Sequence, residues 1–358
     1  MLKKFVTLAA GAIALVSTVA NAQVSAPKYS NEFLNIGVGG RALGMGNVQS
    51  AIVSDATAGF WNPAGLTDLK HKYNIVGMHS ELFAGSVKND YLSFATPLDT
   101  SSALAVSVIR VGVDDIVDTR RLYNASGQIQ YDSIQFFSVA DYALLVSYAR
   151  KSNLLPGLKL GANTKIIYRH VGSFATCWGF GFDAGAQLER RRWKFGLVAK
   201  DITTTFNAWS INTEELREVY LATDNDLPKN SVEITMPRLI FGVGRDFKMG
   251  EKFTALVATD LDFTFDGKRN VLLRSGLVSV DPHIGAEIGY GGIVFLRGGI
   301  NNIQEFEKLE GGKSWKVQPN FGVGAAMGGL NLDLALSKVA DNSNVSSVIV
   351  SLGYKFDK

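Results

Sequence analysis

The chain has 358 residues, of which 46% are hydrophobic and 19% are charged, and its formal net charge is +3. This near-balance excludes the basic surface of a nucleic-acid-binding protein, so no nucleic-acid partner is expected. The single cysteine, Cys177, excludes an internal disulfide, and the four histidines lack metal-ligand spacing. Because the sequence contains neither a nucleophile elbow nor a phosphate-binding loop, we interpret the protein as a non-enzyme without metal or cofactor.

Residues 1–22 have the pattern of a secretory signal peptide. Lys3 and Lys4 form a basic start, an apolar run covers residues 5–19, and small residues precede the expected cleavage site after Ala22. The apolar run is shorter than the roughly 20 residues that cross a bilayer as a helix. We therefore predict export across the inner membrane rather than a membrane anchor.

Residues 23–70 lack the alternation of a β-strand. Glycines at positions 37, 39, 40, 44 and 46 suit tight backbone turns, and residues 48–60 fit either a short helix or a pair of strands. Gly-x-Gly strings also occur in dinucleotide sites, but no strand-helix-strand unit surrounds this one. The pattern predicts a separate segment in front of the strands.

Residues 71–358 alternate between apolar positions and positions that are polar or glycine, which predicts strands whose two faces meet different media. Each stretch has about nine to eleven residues, the length that crosses a membrane when tilted. Fourteen strands are expected, starting near Tyr73, Lys88, Ser102, Phe137, Leu158, Trp178, Trp193, Arg238, Phe253, His283, Ile293, Pro319, Leu330 and Ser346. The sequence thus predicts an all-β fold, a transmembrane antiparallel β-barrel.

The connections distinguish this fold from a soluble β-sandwich, which also alternates. Short links alternate with long ones, which cover residues 113–135, 203–236, 264–282 and 303–318. Outer-membrane barrels have this rhythm, with short periplasmic turns, long extracellular loops and an even number of strands. We therefore expect both termini in the periplasm and outer-membrane lipid around the wall. Residues 270–280 fit either a hairpin extension or an additional strand.

Two sets of side chains are candidates for function. The inward positions of the strands carry charged residues that line the lumen: Lys165, Arg169, Asp183, Glu189, Asp260, Asp262, Glu287 and Arg297. Asp260 and Asp262 face the same way, and paired inward acids are more often lumen lining than catalytic groups. The largest loop, 203–236, carries Phe206, Trp209, Tyr220 and Leu221 around a helix-prone TEELREVYLA, and it either docks a secreted protein or caps the barrel.

The sequence FLNIGVGGRALGMG followed by WNPAGL resembles the amino-terminal signature of the PorV/PorQ family of Bacteroidota outer-membrane proteins, which is itself similar to FadL-type channels. This resemblance implies a fourteen-stranded barrel in which residues 23–70 fold inward as a hatch. The hatch motif comprises Arg41, Gly44, Met45, Gly46, Trp61, Asn62, Pro63 and Ala64.

The same resemblance implies a role for three parts of the motif. Asn62, Pro63 and Ala64 would form the central turn, Trp61 would pack this turn against the inner wall, and Arg41 would be a buried cation. A buried guanidinium needs a carboxylate. The candidates, between which the sequence does not choose, are Asp183, Glu189, Asp260, Asp262 and Glu287.

Two hypotheses of function follow. In the first, the barrel is a type IX secretion component or a paralogue that binds translocon, attachment-complex or secreted proteins. In the second, it is a FadL-like channel for hydrophobic small molecules, with a hydrophobic ligand or a detergent-like lipid in its lumen.

Overall fold

A computed structural model of the chain describes residues 30–124, 126–307, 311–338 and 346–357. The predicted signal peptide, residues 1–22, and the first seven residues of the predicted hatch, 23–29, lie outside the described residues. None of the described helices is both long and apolar enough to cross a membrane.

The described residues form seventeen antiparallel strands. They are β1 Tyr73–Leu82, β2 Val87–Pro97, β3 Ser102–Asp118, β4 Gln135–Lys151, β5 Leu158–Val171, β6 Ala175–Arg190, β7 Trp193–Lys200, β8 Thr205–Ile211, β9 Ser231–Thr235, β10 Arg238–Met249, β11 Phe253–Thr264, β12 Leu273–Arg274, β13 Ser279–Tyr290, β14 Val294–Glu307, β15 Lys313–Met327, β16 Leu330–Lys338 and β17 Ser346–Phe356.

Fourteen of these strands, all except β8, β9 and β12, pair in sequence order to form a closed barrel within the described residues. β7 pairs directly with β10, and β11 pairs directly with β13. The first and last strands close the ring, from Tyr73 opposite Phe356 to Glu81 opposite Val348. The predicted transmembrane antiparallel β-barrel of fourteen strands is confirmed.

The remaining strands extend this wall. β8 continues β7 after an irregular stretch, residues 201–204, in which Asp201 and Thr204 have positive φ angles. β8 pairs with both β6 and β9, and Met236 and Pro237 separate β9 from β10. The helix Thr213–Ala222 lies at the tip of this hairpin. β12 pairs only with Ser279 and Val280, so residues 270–280 extend a hairpin and do not add a barrel strand.

Strand lengths differ from the prediction of nine to eleven residues. The barrel strands have 8 to 17 residues, and the longest, β3 and β4, have 17 each. Consequently the first six residues of the predicted long connection 113–135 belong to β3, and most of the described part of 303–318 belongs to β14 and β15. Alternation marks a strand only where its two faces meet different media, and extensions beyond the membrane are solvated on both faces.

The two ends of the barrel differ. One end, the short-turn rim, carries the turns 98–101, 152–157, 191–192, 250–252 and 328–329, together with the start of β1 and the end of β17. The other end, the long-loop rim, carries residues 119–134, the β8–β9 hairpin and residues 265–278. Between the rims, the outward side chains are apolar and exposed, as with Leu160, Ile166, Phe182, Leu334 and Val350.

The buried core lies between the inner wall and the amino-terminal segment, which we define as residues 30–70. This segment consists of short helical turns, Glu32–Asn35, Gly40–Gly44, Ala58–Trp61 and Pro63–Asp68, joined by loops. Its apolar side chains pack with inward residues of β2 to β5 in one cluster, which includes Val38, Phe60, Leu66, Tyr91, Ile109, Leu145 and Ile167.

The segment runs along the lumen from one rim to the other. At its start, Ser30 and Asn31 donate hydrogen bonds to Glu233 and Thr235 of β9, at the long-loop rim. Near its end, Asp68 pairs with Lys159 beside the short turn 152–157. The start of β1 and the end of β17 therefore lie at the same rim, whereas Ser30 lies at the other rim, because the segment crosses the lumen before β1 begins. Which side of the membrane each rim faces stays a prediction.

Candidate functional site

The Asn-Pro-Ala turn of the segment is fastened by one buried amide side chain. Asn62 is fully buried, and its Oδ1 accepts a hydrogen bond from the Ala64 N–H at 3.2 Å. Its Nδ2 donates to the carbonyl oxygens of Ser50 at 2.7 Å and of Ala186, on β6, at 3.0 Å. Pro63 follows at the first position of the 3₁₀ turn, where a missing N–H has no cost. Asn62 thus joins the turn to the segment and to the wall.

Glycine pairs in the wall form seats for the backbone of the segment. Gly161 and Gly185 are cross-strand partners, and a Cβ on either would lie within 3 Å of atoms in the Asn62 turn. Gly285 and Gly299 are also partners, and a Cβ on either would lie within 3 Å of Met45. The third pair, Gly196 and Gly242, lies equally close to Ser50, and Gly44 lies against Gly322 of β15.

Arg41 belongs to a chain of four charged side chains that joins the segment to three strands. Its guanidinium makes two hydrogen bonds to Glu287, at 2.9 and 3.1 Å. Arg297, the cross-strand partner of Glu287, contacts the same carboxylate at 2.6 Å and Asp333 of β16 at 2.6 Å. Of the carboxylates that the sequence left open, Glu287 is therefore the partner of Arg41.

The inward acids of β11 have separate partners. Asp260 accepts hydrogen bonds from the backbone N–H groups of Gln49 and Ser50, both at 2.9 Å, and from the Ser50 hydroxyl at 2.6 Å. Asp262 pairs with Arg238 at 3.1 Å. Asp260 thus holds the segment, and Asp262 holds the neighbouring strand β10.

Another buried charge cluster lies where the wall is irregular. Lys165 contacts Asp183 at 2.8 Å and Asp201 at 2.5 Å, and its side chain is only 3% exposed. Asp201 belongs to the irregular stretch 201–204, so alternation gave no signal for it. Of the other predicted lumen residues, Arg169 pairs with Asp141 at 2.8 Å, whereas Glu189 lies half-exposed at the short-turn rim.

Trp61 contacts both the segment and the inner wall, where its ring centre lies 5.8 Å from the Lys200 ammonium of β7. Its indole Nε1 donates to the Val38 carbonyl at 2.9 Å, and its ring lies directly over Gly37. The Phe60 ring packs edge-on against it, with centroids 5.0 Å apart. Trp61 therefore joins two parts of the segment and also reaches β7, while Asn62 and the paired glycines supply further wall contacts of this region.

The four predicted loop residues occupy two different environments. Phe206 and Trp209 lie on β8, which is a correction, because this part of the chain pairs with β6 and is not a loop. Phe206 faces outward opposite Phe180, and the Trp209 ring lies 5.1 Å from the Arg169 guanidinium. The other two, Tyr220 and Leu221, lie on the helix Thr213–Ala222, where Leu221 is 70% exposed.

This helix is attached to the loop after β3. Arg120 donates to the Glu215 carbonyl oxygen at 3.0 Å and contacts its carboxylate at 3.3 Å. The same guanidinium lies 4.2 Å from the centre of the Phe174 ring and pairs with Asp118 at 2.7 Å. A single arginine thus joins two elements of the long-loop rim.

Two cavities lie beside the start of the segment. One of about 40 Å³ is lined by Phe60, Leu145 and Lys165 together with Met236 and Pro237. The other, about 480 Å³, opens at the long-loop rim among polar side chains, including Arg269. Burial alone lowers the pKa of Arg269, but contacts with Asp266 and Glu32 outweigh it and raise the pKa above its usual value. No group of three metal-ligating side chains occurs among the described residues.

No family model and no curated protein sequence matches the chain. Solved structures do match its fold. The Pseudomonas putida toluene transporter TodX is 12% identical with a TM-score of 0.58, over 90% of this chain and 98% of that one. The Ralstonia pickettii toluene transporter TbuX is 13% identical with a TM-score of 0.56, over 89% and 98%.

A FadL homologue from Pseudomonas aeruginosa is 12% identical with a TM-score of 0.53, over 89% of this chain and 98% of that one. At such low identity, these matches establish a shared fold, the FadL-like barrel of outer-membrane proteins. None of the three is described as a secretion component, so the resemblance to PorV/PorQ stays a prediction.

Proposed function

We propose that this protein is an outer-membrane channel for small hydrophobic molecules and that the amino-terminal segment is its hatch. The observation that carries the proposal is a segment that runs through the lumen of a fourteen-stranded barrel, within a fold shared with two toluene transporters. In the orientation that we propose, the short-turn rim faces the periplasm and the β8–β9 hairpin faces outward.

The size of the smaller cavity implies that the hatch or the wall beside this cavity moves during transport. The cavity beside Phe60 and Leu145 has about 40 Å³. An apolar cavity that takes up benzene has roughly 150 Å³. A monoaromatic solute therefore passes only if the hatch shifts or the wall beside this cavity gives way.

The irregular part of the wall supports a route from the side. The cavity of about 40 Å³ is lined by Asp201, Met236 and Pro237, which belong to the two interruptions that separate β7 from β8 and β9 from β10. Ladder hydrogen bonds are lost at such interruptions, and Pro237 has no N–H to donate. In our proposal, a solute enters here and passes the Asn62 turn towards the short-turn rim.

Uptake by proteoliposomes tests this proposal. Wild-type protein is expected to give saturable uptake of a monoaromatic hydrocarbon or a fatty acid. Asn62→Ala removes the hydrogen bonds to Ser50, Ala64 and Ala186, so it should alter the uptake rate. Asn225→Ala, at an exposed position of the long-loop rim that lines neither cavity, should not. Absence of saturable uptake for both solute classes, with no ligand in the purified barrel, would overturn the proposal.

We infer a second candidate function from the helix Thr213–Ala222, which has no buried residue and presents Leu221 to solvent. An exposed apolar side chain on a raised helix fits a docking surface for a type IX translocon, attachment-complex or secreted protein. The sequence resemblance to PorV/PorQ and the position of the helix at the outer rim support this candidate.

A loop replacement separates the two candidates. Replacing residues 212–230 by a two-residue turn keeps the β8–β9 pairing and removes the helix. Docking predicts that proteins with type IX signals no longer reach the surface while uptake by the barrel persists. Normal secretion by the shortened protein, with no partner co-purifying with wild type, would rule docking out.

A further inference from the structure

Two arginines flank a tryptophan on the outer face of the wall at the short-turn rim. Arg190 of β6 is the cross-strand partner of Trp193, and Trp193 of β7 is the cross-strand partner of Arg245 on β10. All three side chains have the outward parity of the apolar belt, which includes Phe241 on β10. They therefore form one row across three neighbouring strands.

A shallow groove of about 560 Å³ runs along this row, and we call it the arginine groove. It is lined by Arg190, Arg191, Trp193 and Phe195. Trp193 and Phe195 stack with centroids 6.5 Å apart and form its apolar side. Arg190 and Arg191 form its basic side, and the Arg245 guanidinium lies next to the groove, 4.8 Å from the centre of the Trp193 ring.

The charges of the groove are not neutralised by the protein. Among the described residues, no carboxylate lies within ion-pair distance of Arg190, Arg191 or Arg245. An arginine on the lipid-facing side of a barrel is tolerated near the interface, where headgroups lie, and disfavoured at the mid-plane. Tryptophan also prefers the level of the headgroups. The groove thus lies at headgroup level and presents unpaired guanidinium groups beside an apolar surface.

We propose that the arginine groove binds an anionic glycerophospholipid from the leaflet at the short-turn rim. The planar guanidinium groups of Arg190 and Arg245 match the geometry of a phosphate. The acyl chains lie along Trp193 and Phe195, which continue into the apolar belt. This inference depends on the barrel spanning a membrane and is independent of transport, so its test and the uptake assay can fail separately.

Lipid retention tests the groove. The full-length protein is reconstituted in nanodiscs with equal amounts of phosphatidylglycerol and phosphatidylethanolamine and is then extracted gently, and bound lipids are counted by native mass spectrometry. Wild type should retain phosphatidylglycerol preferentially. Arg190→Gln with Arg245→Gln should lower the ratio of the two lipids about 30-fold, the effect of two basic side chains near an anionic surface.

Arg150→Gln is the matched control. Arg150 is an exposed, outward arginine near the same rim, but its cross-strand partners are Ser102 and Leu160, not an aromatic residue and a second arginine. An unchanged ratio in the double variant, or an equal fall in Arg150→Gln, would overturn the inference. If the double variant does not migrate as a folded barrel, Arg245→Gln alone carries the test, with about a fivefold fall expected.

Discussion

The chain of charges from Arg41 to Asp333 predicts that the amino-terminal segment can be loosened without opening the wall. Arg41→Met removes the guanidinium and keeps an unbranched side chain, so Glu287 retains only its 2.6 Å contact with Arg297. Breaking a fully buried ion pair costs about 3–5 kcal/mol. Because Arg297 remains and the Arg41 side chain is 24% exposed, we expect the free energy that holds the segment against the wall to fall by about 2 kcal/mol.

Hydrogen exchange measures this loss directly. A cost of about 2 kcal/mol makes local opening about 30-fold more frequent, so amides of residues 38–46 should exchange faster by that factor. The Gly40 N–H, which donates to the Ser351 hydroxyl at 2.9 Å, is one of these amides. β1 and β17 should exchange as in wild type, and Arg41→Lys should give an intermediate rate. Unchanged exchange in residues 38–46, or an equal rise in β1 and β17, would refute the reasoning.

Three further substitutions test other contacts of the segment, the wall and a turn. Gly161→Val places a side chain where the Asn62 turn lies and should lower the free energy of unfolding by about 1–3 kcal/mol. The control is Gly298→Val, which should lower it much less, because no atom of the described residues lies within 4 Å of the Cβ position of Gly298. Lys165→Met removes the cation that pairs with the buried carboxylates of Asp183 and Asp201, so it should lower the melting temperature. Adding Asp183→Asn removes one of these negative charges and should restore part of the melting temperature. The pKa of Asp99, in the turn after β2, is held well below its usual range by hydrogen bonds from the two serines at 102 and 101. The ionised Asp99 carboxylate therefore stabilises the folded state above the unfolded pKa of about 3.9, and this stabilisation is lost as the pH falls through the lower folded pKa. The difference in unfolding free energy between wild type and Asp99→Asn should therefore persist at neutral pH and narrow in strong acid.

The sequence predicts the wall well because a membrane-facing strand must alternate. The expected starts at Leu158, Trp193, Arg238, Phe253 and Leu330 coincide with the first residues of strands in the structure. Prediction fails where the environment stops differing between the two faces. For this reason the predicted long connections 113–135 and 303–318 include extensions of β3, β14 and β15, and the predicted connection 203–236 includes β8 and β9.

The contacts of the segment depend on register, which alternation does not supply. Gly161 and Gly185 become one seat only because β5 and β6 pair with these residues opposite each other. Glu287 likewise becomes the partner of Arg41 only because of the path that the segment takes across the lumen. Composition and spacing identify the residue types that a plugged barrel needs, whereas their pairing depends on tertiary structure.

The end of the segment at the long-loop rim connects the two candidate functions. Ser30 and Asn31 are hydrogen-bonded to Glu233 and Thr235 of β9, the strand that supports the helix Thr213–Ala222. A partner or solute that displaces this hairpin must break or carry along these hydrogen bonds, and therefore acts on the start of the segment. The Asn62 end is held by neutral hydrogen bonds and glycine seats at a wall that does not include the hairpin. Any movement of the amino-terminal segment should therefore begin at residues 30–46, where the contacts involve the hairpin and the Arg41 ion pair, and the Asn62 turn should follow last.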